Sequence, residues 1–372
     1  MAPSADRCPV QSISRLRSTI PLEYFVPDGK LAFISIAVAT LFLGFALFLA
    51  VGLWQARAYW LFPVSWCISG MAFTSYFVLG HDCGHFSFVR SRRAMVILGH
   101  LFFLPALHPF YSWKYLHDAH HTHANLLTKR DGIYYDNAWN PVTADEYRQR
   151  SQGPSLALWI YRLIRACPPV GALIYRLYFQ LNLRLYRRDH RAHIRRSFAV
   201  LVLAFGAGWA GLVFVTGSVY LSVLHFWLLP ALCFDCWLAA YTLAHHVSVD
   251  TRRYDDDDWT AYRGQVESTI NCYFPRWISF LHFNVDIHVP HHIAPEIPSY
   301  WLRKANGALK RSARGAEVNE VAFSIWYLYQ QVRLCKLWDV KAQRYVTFAH
   351  ALSAAGRESA VTGERPDVGE GG

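Results

Sequence analysis

Charged residues are scarce: Asp, Glu, Lys and Arg make up 17% of the 372 residues, against about 25% in an average soluble domain. With 53% hydrophobic and 16% aromatic residues, that deficit excludes an ordinary soluble enzyme and points to a membrane protein. Acidic residues are the scarcer sign, 26 against 37 basic, for a net charge of +11. In a membrane chain a basic excess is read first as topology and lipid contact. No basic helix or recognition motif accompanies it, so nucleic acid is not an expected partner. The eight cysteines lack framework spacing, which excludes a disulfide-built fold. Cys67, Cys233 and Cys236 lie inside apolar runs and read as buried free thiols. The first 30 residues lack an apolar core of leader length, so no cleavable signal peptide is expected. Built-in electron carriers are missing too: no His-Pro-Gly-Gly haem motif, no Rossmann fingerprint, no ferredoxin-type cysteine run.

What is present is long apolar runs. Residues 31–54 suffice to cross about 30 Å of hydrocarbon. After the turn Gln55-Ala-Arg57 a second span covers about 59–80. Residues 197–216 and 219–244 form another pair, joined by Gly217-Ser218. The expected fold is an all-α integral membrane protein with four transmembrane helices in two hairpins. Residues 94–110 are apolar but short and broken by Pro105 and Pro109; they and the arginine-interleaved stretch 156–185 read as interfacial helices. Residues 1–29 read as a cytoplasmic, partly disordered arm, 30–352 as the membrane domain and 353–372 as a disordered tail.

Between the hairpins, residues 110–196 carry 14 Lys and Arg, while the two tight outer turns carry only Arg57. The positive-inside rule then puts both termini and the middle loop in the cytoplasm.

Eight of the 18 histidines fall in three short windows at the cytoplasmic span ends: His81-Asp-Cys-Gly-His85, His117-Asp-Ala-His120-His121 and His288-Val-Pro-His291-His292. Spacings of i, i+3 and i+4 put imidazoles on one helix face. Lone His100, His108, His190, His193 and His225 read instead as interfacial polar residues. Zinc needs four ligands and calcium or magnesium prefers oxygen. Two iron ions sharing the imidazoles, with open positions for molecular oxygen, fit the donor set best. The Glu-x-x-His pairs of soluble di-iron proteins are absent. The expected architecture is thus a cytoplasmic helical cap carrying a histidine-rich di-metal site. Pro290 suits the first turn of a helix, so His291 and His292 are expected to open one, with His288 just before it. Asp82, Asp118 and Asp286 adjoin ligands and are candidates to steady them from behind. Asp235 is an ionisable residue deep in the fourth span, where such groups are expensive and often functional. The run Asp255–Asp258 reads as a solvated loop.

The windows, their order and their relation to the hairpins resemble the membrane fatty acid desaturase family. The flanks Phe86-Ser-Phe, Trp113 to Asn125, Asp136-Asn-Ala-Trp139 and Ile293 to Tyr300 resemble its acyl-lipid delta-12 (omega-6) branch. The resemblance implies a ninth iron ligand at the end of the fourth span, matched to His245, with His246 a non-ligand neighbour. Tyr241 then stands where an acyl-CoA desaturase has a water-holding Asn. His123 is off the ligand face, and His282 is a further candidate behind the ligands. The implied activity is oxygen-dependent desaturation of a lipid-linked acyl chain, fed by ferredoxin or cytochrome b5. Same-scaffold rivals are a hydroxylase, epoxygenase or acetylenase, or a desaturase of an acyl-carrier-protein thioester. A metal transporter or sensor is the rival from another class, disfavoured because its ligands belong near the bilayer midplane. The sequence leaves the oligomeric state open.

Overall fold

The computed structural model describes residues 12–130, 133–312 and 318–353. The expected tail beyond residue 353 and the first eleven residues lie outside the described residues. Among the described residues, four helices are long and apolar enough to cross a membrane: Gly29–Gln55, Tyr59–Gly84, Arg191–Thr216 and Val219–His246. At about 1.5 Å per residue each is close to 40 Å long. Local chemistry sets their ends. The Asp28 carboxylate accepts from the Lys30 and Leu31 amides and starts the first span. Gly217, at φ 67°, closes the third in the left-handed conformation, and Ser218 Oγ caps the helix that follows.

The second and fourth spans form the packed centre. A Cβ on Gly70 would sit 2.6 Å from Cys233 Cβ, so glycine permits the close approach. The third span is the opposite case: none of its most apolar stretch is buried, and Phe214 is 91% exposed. Lipid is the fitting surround for such a face.

Four features differ from the sequence reading. The second span runs to Gly84 and the fourth to His246, so histidines end these helices rather than following them. The stretch 94–110 is not one helix: it splits into Arg92–Phe103 and Phe110–His123, with Pro109 capping the second. Outside the spans the fold is not purely helical: among the described residues six short strands pair two by two, Ile270–Tyr273 with Asn319–Ala322 among them. Residues 12–28 form two short helices rather than a loose arm; Leu16 and Ile20 pack on Ile293 and Ile297.

Candidate metal centre

Each histidine window is presented by a different element. His81 lies in the last turn of the second span and His85 caps it. His117, His120 and His121 share the helix Phe110–His123. His291 and His292 sit in the one-turn helix Val289–Ile293, with Pro290 in its first turn and His288 as its N-cap, as the sequence suggests. Asn271 fixes that turn: its Oδ1 accepts from the His288 and Val289 amides at 2.7 and 2.8 Å.

The imidazoles converge into two groups, His81, His85, His117, His121 and His291 in one, His120, His246, His288 and His292 in the other. The second and third windows are each split between them. In the first group, His117 Nε2 lies 3.1 Å from Nε2 of both His81 and His121, and His121 Nε2 lies 3.0 Å from that of His291. In the second, His246 Nε2 is 3.2 Å from that of His120 and 3.0 Å from that of His288. A neutral imidazole carries one donor and one acceptor nitrogen, so converging Nε2 atoms cannot all satisfy one another; a shared cation does. Two nitrogens at right angles, each about 2.1 Å from an ion, are about 3.0 Å apart. Burial first, and then neighbouring histidines, push His85, His117, His121, His288, His291 and His292 well below the ordinary imidazole pKa. They are therefore neutral, the form that ligates.

At the ninth position the structure places the two adjacent histidines differently. His246 joins the second group and His245 does not. Leu238, Thr242 and His246 form one stripe at four-residue spacing, whereas Tyr241 and His245 lie on the neighbouring stripe. His245 stacks flat on His288, centroids 4.1 Å apart, and Tyr241 bonds to His282. Thr242, not Tyr241, precedes the converging histidine by one turn. His282 stands one residue further back, held by Tyr241 and the Met71 carbonyl, and burial lowers its pKa to about 3.

Of the three aspartates expected behind the histidine windows, Asp82 meets an imidazole and Asp118 and Asp286 do not. Asp82 contacts His81 Nδ1 at 3.3 Å and accepts from the Ser299 amide. Asp118 turns outward to Lys114. Asp286 holds the Phe274 amide and Ser279 hydroxyl rather than a ligand. Asp136, which the window spacing does not single out, meets His120 Nδ1 at 2.7 Å and takes the Asn125 amide on its other oxygen. Fully buried Arg253 donates to the His246 carbonyl and lies 3.8 Å from Asp136. His123 stacks on Tyr135 and stays outside both groups, and Asp255–Asp258 is exposed. Asp136→Ala is expected to weaken metal retention about 10–100-fold, measured as metal left after graded chelation of purified protein.

A cavity of about 410 Å³ opens onto the second group. His120, His246 and His288 face it, with His117 from the first. Trp113, Trp139, Tyr175, Phe179 and Leu238 make its apolar walls. Its size and lining suit a long apolar ligand.

A fatty acid desaturase family model matches residues 58–322. The chain belongs to the fatty acid desaturase family. This desaturase is 34% identical over 281 residues to the sn-1 oleoyl-lipid 12-desaturase of Synechocystis sp., covering 74% of this chain and 76% of that one. It is 35% identical over 303 residues to the enzyme of the same name from Picosynechococcus sp., covering 81% and 82%. Similarity to the chloroplastic omega-6 fatty acid desaturase of Brassica napus is 30% over 339 residues, covering 91% and 72%. The desaturase groups with the delta-12/omega-6 acyl-lipid branch. It is an oxidoreductase of lipid metabolism and, with four apolar spans, a membrane protein.

Proposed function

We propose that this desaturase inserts a cis double bond at the delta-12 position of an 18:1 chain carried on a membrane lipid. The observation that carries the reading is the apolar cavity ending on three imidazoles of the second group. The all-nitrogen donor set suits iron; one ion would be held by His81, His85, His117, His121 and His291, the other by His120, His246, His288 and His292. Two irons held there would supply, with molecular oxygen and two electrons from outside, the oxidising power to take two hydrogens from an unactivated chain. In balance, –CH2–CH2– becomes –CH=CH–, and the oxygen takes up those two hydrogens, the two electrons and two further protons to leave as two waters.

The protein's own residues do the placing. The aromatic walls hold the chain and exclude water. Asp136 and Asp82 fix the rings of His120 and His81, and Trp113 stacks on His117 at 4.4 Å. The electron donor is a separate acidic protein, ferredoxin or cytochrome b5, steered by the basic loop 110–196. Residues 30–352 act as one membrane domain whose spans pair as two hairpins. The termini and both histidine groups lie on the cytoplasmic side.

The test is expression in a host lacking polyunsaturated acids, followed by lipid mass spectrometry with double-bond mapping. A new 18:2 species made from 18:1 is the expected result. An oxygenated or triple-bonded product instead would assign the chain to the hydroxylase or acetylenase chemistry of the same scaffold, and no product would overturn the reading.

A further inference from the structure

Asp235 does not stand alone in the fourth span. Its carboxylate is fully buried and meets the guanidinium of Arg176, itself buried, 59 residues earlier in the chain. Arg176 lies in a π-turn, Tyr175–Phe179, and its other amino group donates to the Ala106 carbonyl at 3.1 Å. One side chain thus fastens three separate segments. Each of them leads to the cavity. Tyr175, Tyr178 and Phe179 line it beside Arg176; Leu238, Thr242 and His246 line it beyond Asp235; and the loop holding Ala106 runs into the helix that carries His117 and His120.

Stability does not account for the pair. Placing two charges at this depth costs about as much as their attraction returns, and an apolar replacement of both is commonly neutral. Among the described residues the arrangement also leaves Arg176 Nε and Asp235 Oδ1 buried without a partner, a further penalty. What a directional ion pair supplies, and an apolar contact does not, is a single relative setting of the segments it joins. Asp235 precedes His246 by eleven residues in the same helix, about 16 Å of rise. The setting is therefore made well away from the histidines, along the wall that an acyl chain would follow.

We propose that the Arg176–Asp235 pair is a positioning device: it fixes the walls of the cavity relative to His246 and so determines which carbon pair of the chain is presented for oxidation. This rests on the reading of the cavity as the acyl site. Neither residue touches the reacting atoms. The pair's effect is on where the double bond falls.

The experiment compares the parent, D235N, and the paired apolar replacement R176M/D235L, in the host and by the double-bond mapping described above. The paired replacement removes both charges, so it keeps the protein in the membrane even where the single variant, with an unpaired arginine, does not. Iron content is measured on both. The expected result for R176M/D235L is parent-like protein level and iron, with the share of products desaturated at neighbouring carbons raised about tenfold, the loss of about 1.4 kcal/mol of positional preference. An unchanged product distribution overturns the proposal. So does a fall in activity that follows loss of iron with the bond position intact, since that marks a purely structural role. Failure of the parent to make any 18:2 counts against the proposed function and is told apart by that control.

Discussion

His246→Ala is expected to reduce desaturation below about one-hundredth of the parent rate, because removing even a residue behind a ligand costs up to that much. Iron content should halve, with the protein still inserted. His245→Phe should behave quite differently. His245 stacks on the ring of His288 and stays outside the converging nitrogens, and phenylalanine preserves the stack. Activity within about tenfold of the parent is expected, the scale of a loosened contact rather than a lost ligand. Rates from lipid product analysis and iron from elemental analysis of the purified variants decide between the neighbours. A dead His245→Phe beside an active His246→Ala would restore the assignment suggested by the family resemblance.

Gly171→Leu is expected to lower turnover about a hundredfold, the scale set by misplacing a bound group by about 1 Å, while leaving iron in place. A Cβ at Gly171 would already stand 2.9 Å from Trp139 Cη2 and 3.0 Å from Ile164 Cγ2. Trp139 has little freedom to retreat, because its indole N–H donates to Thr242 Oγ1 at 2.8 Å. A leucine must push the indole off Thr242 or into the cavity, and all three residues line that space. Gly171→Ala meets only the far ends of side chains, so a much smaller loss is expected. Turnover assayed alongside iron content checks this; parent-like turnover in the leucine variant would mean that Trp139 does not shape the path of the chain.

Much of this was legible in the residue order. Long apolar runs mark spans because lipid tolerates little else, and the histidine spacings mark ligand faces because the helix repeat fixes them. The choice between His245 and His246 was not legible. Adjacent residues on a helix point about 100° apart, and the rotation of the fourth span is set by its contact with the second at Gly70. Asp136 stands in a flank of the resemblance, but its pairing was hidden for another reason: its partner His120 lies 16 residues away, so no local spacing signals the contact. Asp118, beside His117 in sequence, was misleading for the converse reason, since sequence neighbours on a helix face different ways. The pairing of Asp235 with Arg176 depends on how the segment Tyr175–Phe179 packs against the fourth span, which no periodicity records.

The histidines of the helix Phe110–His123 serve both groups, as do those of Val289–Ile293. The gap between the two centres is thus ruled off by the helix's own turn of about 100° per residue, since His120 and His121, like His291 and His292, fall in different groups. Insertions in the long connections between windows leave that ruler intact. A single residue inserted between His117 and His120 would turn His117 by about 100° against His120 and His121 and part it from the group it shares with His121.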